Sequence, residues 1–392
     1  MERIGIYGGT FNLPHMGHIR AAHCAVDSLA LSKLLLIPAC ISPHKQIPAD
    51  SPIPTQRLQM LQAGIGEDAK IQVCDIELRR GGASYTYETV EQRRSQYPDA
   101  ELILLMGTDM FVSFLNWKKP ERILQAASLG VFYRGEKGEK DTIAQQKQKL
   151  EAMGAKVYLV ENPVVEISST DLRRMLVMKC ANGYLTPKVV QYIEDNQLYG
   201  AGKDYQNLTE EDLEAVVVSL LKPSRVAHVR GCRYEAVKLA KYWGADETDA
   251  ARAALLHDVT KALDGPLQLE LCRQYGVPLD EFSKKNPKIL HALTGSLVAE
   301  RIFKERPEVV EAIRWHTTGK ANMNLLEKII YVADYMEPNR DFPGVEELRE
   351  LAYSNIDAAL RRGLEMTLDM LRKQGKEISR ESDAALRYLQ EN

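Results

Sequence analysis

The sequence predicts a parallel α/β domain followed by an all-helical domain, and three observations lead there. Up to about residue 165, short apolar runs alternate with helix-compatible stretches. After Gly200-Ala201-Gly202-Lys203-Asp204 the strand-like runs stop, and the later segments carry helical periodicity. The chain also has 392 residues, more than one hydrophobic core usually serves. The expected division is a first domain at 1–200, a linker at 201–208 and a second domain at 209–392.

In chain order, Ile4-Gly5-Ile6-Tyr7 reads as the first buried strand. Gly8 and Gly9 then let the backbone approach a ligand where a side chain would clash, and Thr10 and Phe11 continue the turn. His15-Met16-Gly17-His18 opens a helix; on its first turn residues three apart share a face, so His15 and His18 are expected to meet one phosphate chain together. Further strands are expected at Leu34–Ile37, Ile71–Val73, Leu102–Met106, Leu129–Phe132 and Val157–Val160. Ser168, Ser169 and Thr170 open another helix, where hydroxyls, unpaired backbone N–H groups and the forked guanidinium of Arg173 suit phosphate oxygens. The same run also reads as an ordinary capping box. In a parallel sheet both motifs lie at strand C-terminal ends, where helix N-termini gather around a ligand.

The helical half opens at a capped start, Thr209-Glu210-Glu211-Asp212. It holds His228, the pair His257-Asp258, His291, His316 and Asp334 on helix-compatible stretches. One buried histidine per helix is more often a core residue than a ligand. Imidazoles and carboxylates together suit a transition metal better than calcium.

Composition bounds the rest. Hydrophobic residues at 45% and charged ones at 27% give an ordinary globular balance. A formal net charge of −3 argues against non-specific nucleic-acid binding and leaves phosphate recognition to local positive clusters. No apolar run approaches the roughly 18 residues of a membrane helix, and Met1-Glu2-Arg3 runs straight into the first strand, so a cytoplasmic enzyme is expected. The 6 cysteines stand singly, without a C-x-x-C pair, and are expected to be reduced thiols.

The joint pattern Gly-Gly-Thr-Phe, His-x-Gly-His and Ile167-Ser-Ser-Thr-x-x-Arg173 resembles the nucleotidyltransferase superfamily. Pro43-His44-Lys45, Tyr85-Thr86-Tyr87-Glu88-Thr89 and the stretch from Gly107-Thr108-Asp109 to Asn116-Trp117 are similar to segments of bacterial nicotinate-mononucleotide adenylyltransferases. The resemblance implies a Rossmann-like domain that transfers AMP from ATP to nicotinate mononucleotide, giving nicotinate adenine dinucleotide and pyrophosphate. It implies that His18 stabilises the transferring α-phosphoryl group, that His15 and Lys45 hold phosphates, and that Ser168, Thr170 and Arg173 grip the β- and γ-phosphates. Gly8, Gly9, Thr10, Phe11, Ser169 and Arg134 would surround ATP, and Tyr85, Thr86, Asp109 and Trp117 the mononucleotide. Mg²⁺ would arrive with the nucleotide. Such chemistry needs no protein nucleophile, because the mononucleotide phosphate attacks, so the protein's work is positioning and charge stabilisation. Glu88 stands where the family has Asp, Leu172 where Ile is commoner, Leu13-Pro14 inverts the usual order, and Tyr133-Arg134-Gly135 lacks a following proline.

The order His228, His257-Asp258, His291, His316, Asp334 resembles the HD-domain metal phosphohydrolases, and Ala254–Lys261, Trp315–Lys320 and Tyr331–Arg340 look like their YqeK-type branch. That branch is associated with symmetrical hydrolysis of diadenosine tetraphosphate to two ADP. The resemblance implies one metal on His228, His257, Asp258 and Asp334, and a second on His291 and His316 that shares Asp258. Iron, manganese or cobalt would fit, and two such ions bind a phosphoanhydride and activate water without a side-chain nucleophile. Lys261, Lys320 and Arg340 are candidate phosphate donors. Two alternatives stay open at this point: an acceptor such as nicotinamide mononucleotide or another cofactor precursor, and a helical half that hydrolyses another nucleotide or only binds dinucleotides.

Overall fold

The computed structural model describes residues 2–43, 51–133, 138–162 and 167–391. The chain divides into two compact units, Met1–Lys203 and Asp204–Asn392.

All six expected strands form in the first unit: β1 (Arg3–Gly9), β2 (Lys33–Pro38), β3 (Ile71–Val73), β4 (Glu101–Gly107), β5 (Ser128–Tyr133) and β6 (Val157–Glu161). They make one parallel sheet in the order β3-β2-β1-β4-β5-β6. Tyr7 of β1 lies opposite Leu36 of β2 and Leu105 of β4. The winding reverses between β1 and β4, so the loops leaving these two strands diverge and leave a crevice at their C-terminal ends.

Successive side chains along a strand point to opposite faces, and both faces here are apolar. Ile4, Ile6, Leu35, Ile37, Leu102 and Leu104 pack with Phe111, Phe114 and Ile123 on one face. Leu34, Leu36, Ile103 and Leu105 pack on the other with Ala21, Ala22, Ala25 and Val26 of the helix Met16–Ser28. Small alanines bring that helix close to the sheet, which places its N-terminus at the end of β1.

The second unit is helical throughout its described residues. Thr209 caps its first helix, Glu210–Leu220, by accepting from the Asp212 backbone N–H. The helices Val226–Trp243, Glu247–Leu256, Leu290–Val298, Pro307–Trp315 and Leu325–Met336 share the core, with Leu239, Ala254, Leu255, Ile313, Ile329 and Ile330 fully buried.

The expected linker is not free chain. Tyr205 is buried with its ring 5.7 Å from that of Phe303, and the Leu208 carbonyl accepts from Arg252 Nη1 at 2.8 Å. An aromatic side chain too large to leave in water draws residues 204–208 into the second unit. Each unit thus closes its own core, and residues 1–203 and 204–392 produced as separate chains are expected to be soluble and cooperatively folded. Circular dichroism and thermal melting of the two fragments check this; aggregation of both would contradict it. Among the described residues, no helix is long and apolar enough to cross a membrane.

Candidate active sites

In the first unit, the loop leaving β1 and the start of the helix Met16–Ser28 form one wall of a cavity of about 250 Å³. Gly8, Gly9, Thr10, Phe11 and His18 line it, and Thr86 and Trp117 line it as well. A Cβ on Gly8 would meet no atom within 4 Å, so glycine there keeps space on the cavity side.

The two histidines meet, but not as neighbours on one helical turn. His15 is the N-cap residue, ahead of the helix, and its Nδ1 accepts from the Gly17 N–H at 3.1 Å. His18 Nδ1 in turn accepts from the His15 N–H at 3.2 Å, and the two ring centroids lie 3.9 Å apart. A neutral ring whose Nδ1 accepts must carry its proton on Nε2, so both imidazoles offer an Nε2–H donor. Burial pushes the His15 pKa down to about 4, which keeps that ring neutral at physiological pH.

The second motif is brought to the first by Arg173. Ser168 caps the helix Ser169–Val177 by accepting from the Asp171 N–H, which is the N-cap half of the capping box; the Asp171 carboxylate takes the Ser168 hydroxyl rather than its backbone N–H. Arg173 Nη1 donates to the Asn12 carbonyl at 3.1 Å, and Nη2 donates to Thr170 Oγ1 at 3.0 Å. A contact across 161 positions therefore ties this helix to the loop after β1.

Two residues that the motifs did not single out hold the same loop. Arg57, only 1% exposed, donates to the carbonyls of Thr10 at 2.5 Å, Ala39 at 2.7 Å and Cys40 at 3.0 Å. Tyr199 donates its hydroxyl to Asn12 Oδ1 at 2.5 Å, and burial raises its pKa so that it stays protonated. Arg57 lies on an amphipathic helix, Pro54–Ile65, where an arginine normally reads as surface charge.

Two predicted mononucleotide contacts do not line the cavity. The Tyr85 ring lies under the Lys118 ammonium, 3.6 Å from its centroid, and Asp109 sits in the first turn of the short helix Thr108–Val112. Their neighbours Thr86, Gly107 and Met110 line it instead, because the turn at each point presents the adjacent residue. Lys45 and Arg134 lie outside the described residues.

In the second unit, six predicted residues from five helical segments converge. His228 Nε2 is 3.3 Å from His257 Nε2 and 3.1 Å from Asp334 Oδ1. His291 Nε2 is 3.2 Å from His316 Nε2. Asp258, 1% exposed, stands between the pairs: its Oδ2 lies 3.7 Å from His228 Nε2 and 3.6 Å from His257 Nε2, and its Oδ1 lies 3.5 Å from His291 Nε2 and 3.9 Å from His316 Nε2.

The Nδ1 atoms of His257, His291 and His316 face the carbonyls of Ala254, Lys288 and Ile313 at 2.6, 2.8 and 2.7 Å. A carbonyl only accepts, so each Nδ1 carries the proton and each Nε2 turns a lone pair inward. Burial drives the His257 and His291 pKa values well below the ordinary range and that of His316 to about 4, so these rings are neutral as ligands must be. Facing lone pairs beside carboxylates repel unless a cation lies between them. Two nitrogens at tetrahedral corners around an ion at about 2.1 Å stand about 3.4 Å apart, which matches both histidine pairs. His228, His257 and Asp334 form one group able to hold a metal, and His257, Asp258 and His316 another.

The site opens into a cavity of about 600 Å³ whose polar side includes Arg225, Lys261, Thr317 and Arg340, and whose apolar side includes Tyr335 and Phe342. Arg225, which no motif contained, pairs with Asp258, and Arg340 Nη2 lies 3.0 Å from Asp334 Oδ1. The Lys261 ammonium lies 2.8 Å from His291 Nε2, and burial lowers its pKa to about 8. Lys320 is corrected: it does not line the cavity, because its ammonium is held between Glu311 at 3.2 Å and the buried Glu327 at 2.7 Å. Glu337 lies within the Tyr331–Arg340 segment, where the motif gives it no role; it is 1% exposed, with Oε1 3.1 Å from His228 Nδ1.

A doubly wound sheet with this histidine-capped loop at its switch point, followed by a helical domain with a histidine–aspartate centre, defines a nucleotidyltransferase-type domain joined to an HD domain. Family models agree: the cytidylyltransferase-like model matches residues 6–175 and the HD domain model residues 225–339. The chain belongs to the nicotinate-nucleotide adenylyltransferase family, whose curated members match its N-terminal half, and it carries an HD domain in its second half. A probable nicotinate-nucleotide adenylyltransferase from Shewanella putrefaciens is 36% identical over 214 residues, 50% of this chain and 99% of that protein. One from Neisseria meningitidis serogroup C is 32% identical, covering 51% of this chain and 99% of that protein. A solved structure from Clostridium acetobutylicum, described as a predicted HD superfamily hydrolase involved in NAD metabolism, is 34% identical, covers 47% of this chain and 98% of its own, and superposes with a TM-score of 0.46.

Proposed function

We propose that the chain is a bifunctional enzyme: its first unit transfers AMP from ATP to nicotinate mononucleotide, and its second hydrolyses diadenosine tetraphosphate symmetrically to two ADP with two divalent transition ions. In the first reaction an oxygen of the mononucleotide phosphate bonds to the α-phosphorus of ATP while the bond to the β-phosphate bridge breaks, releasing pyrophosphate. The observation that carries this half is the convergence of His15, His18 and Arg173 on one loop beside a cavity lined by Trp117. The His18 Nε2–H is the donor proposed to meet charge developing at the α-phosphoryl group. Arg173, Thr170, Ser168 and Ser169 are proposed to take the outer phosphates, with Mg²⁺ bound to the nucleotide.

The hydrolase half rests on the two histidine pairs flanking Asp258. Ions held there would neutralise phosphoanhydride charge and activate water. Arg225, Lys261 and Arg340 surround the same cavity with positive charge suited to a polyphosphate, and the Tyr335 and Phe342 rings offer flat surfaces to a base. The ligand set is complete enough for catalysis, which favours a hydrolase over a module that only binds dinucleotides.

Trp117→Ala is expected to raise KM for the mononucleotide about tenfold and leave KM for ATP unchanged, since aromatic stacking contributes about 1–3 kcal/mol per ring. Steady-state kinetics with each substrate varied checks this, and the opposite pattern would remove Trp117 from the pyridine subsite. The whole proposal is tested by product analysis of the purified protein, offered ATP with nicotinate or nicotinamide mononucleotide and, separately, diadenosine tetraphosphate with Fe²⁺, Mn²⁺ or Co²⁺. Preference for the nicotinamide acceptor, or products other than two ADP, would overturn the corresponding half.

A further inference from the structure

The two histidine pairs of the helical unit are not equivalent. Four ligand atoms surround the first position: His228 Nε2, His257 Nε2, Asp334 Oδ1 and Asp258 Oδ2. Around the second there are, among the described residues, three, His291 Nε2, His316 Nε2 and Asp258 Oδ1, whose one carboxylate is the shared Asp258.

The supports behind the ligands differ in the same sense. His257, His291 and His316 donate Nδ1–H to neutral backbone carbonyls. His228 alone faces a carboxylate, Glu337 Oε1 at 3.1 Å. That carboxylate is built in: Oε2 accepts from the Asn339 backbone N–H at 2.8 Å and from Asn339 Nδ2 at 2.7 Å, and Asn339 Nδ2 also bonds to the Ala227 carbonyl at 3.1 Å. Gly231, one turn beyond His228, leaves the room; a Cβ there would collide with the Glu337 carboxylate and the Asn339 amide. A carboxylate behind an imidazole fixes its tautomer and makes it a stronger donor to a metal.

Cations flank both positions. Arg225 meets Asp258 and Arg340 meets Asp334 on the first side, and Lys261 meets His291 on the second. The first position has Asp334 as a ligand and Glu337 behind His228 to offset Arg340, which lies 3.0 Å from Asp334 Oδ1 and 3.9 Å from Glu337 Oε1, whereas beside the second the shared Asp258 alone faces the Lys261 ammonium, 4.0 Å from its Oδ1.

We propose that the helical unit binds its two ions in sequence, a tight one at His228–His257–Asp334 and an exchangeable one at His291–His316, with Glu337 as the positioning residue that sets the difference. Hydrolysis then follows the supply of free divalent ion through occupancy of the second position alone. This rests on the two-ion reading of the site.

The test is calorimetric titration of the metal-stripped, nucleotide-free full chain with Co²⁺, with bound metal counted by elemental analysis after dialysis. Two classes separated by at least tenfold are expected, only the tight one surviving dialysis. Glu337→Gln should weaken the tight class by about 10–100-fold and leave the weak class unchanged, because an outer partner of a metal ligand typically contributes that much. His316→Ala should abolish the weak class and leave the tight one. Two ions of equal affinity, or a tight class unmoved in a folded Glu337→Gln protein, would overturn the proposal while leaving the two-ion centre standing. Absence of any bound ion would overturn both. The wild-type titration decides the inequality by itself, so the result does not depend on a variant folding.

Discussion

Asp258→Ala is expected to strip the ions from the helical unit and stop its hydrolysis while adenylyl transfer continues at the parent rate. Each carboxylate oxygen of Asp258 faces a different histidine pair, Oδ2 within 3.7 Å of His228 and His257, Oδ1 within 3.9 Å of His291 and His316. One substitution therefore removes a ligand from both positions and leaves the repulsion between two neighbouring cations without the negative charge that offset it. Asp258 also partners the half-buried Arg225, so the alanine variant strands a cation as well. Asp258→Asn keeps the shape and a hydrogen-bond acceptor, and it serves as the folding control. Elemental analysis and product assays for both reactions check the outcome. Retention of both ions and of hydrolysis by a folded variant would sink the two-ion centre.

His18→Ala should have the converse effect, lowering adenylyl transfer by on the order of 10²–10³ and sparing hydrolysis, because loss of one donor aimed at developing charge typically costs that much. The ring also accepts from the His15 N–H, so alanine removes the return half of the capping box and leaves that N–H without its side-chain partner, while His15 still caps the helix through the Gly17 N–H. His18→Asn retains an acceptor for that N–H but has no donor at the Nε2 position. Both variants should therefore lose transfer, while asparagine stays closer to the parent in thermal stability. Single-turnover measurements at saturating ATP separate the two effects. Near-parent formation of nicotinate adenine dinucleotide by either variant would rule His18 out as that donor.

The sequence by itself determined the architecture and the chemical types. Six short apolar runs became the six strands, and the end of such runs after Gly200 marked the helical half. Such patterns are local: a strand covered on both faces reads as a continuous apolar run and a helix buries one stripe, and the residues that do so are neighbours in the chain. The motif histidines were legible for the same reason, since His15 and His18 are three apart and His257 adjoins Asp258.

Tertiary structure alone decided which groups complete the sites. Arg57 reads as surface charge on its helix, yet it is buried against three carbonyls of the loops beside β1 and β2. Lys320 reads as a phosphate donor, yet two carboxylates hold it away from the cavity. Glu337 supports His228 from 109 positions away, and the partition of the two Asp258 oxygens between histidine pairs exists only once five helical segments meet. No spacing along the chain encodes such contacts. They follow from which helix faces pack together, and a buried charge then takes whichever partner the packing brings within hydrogen-bonding distance.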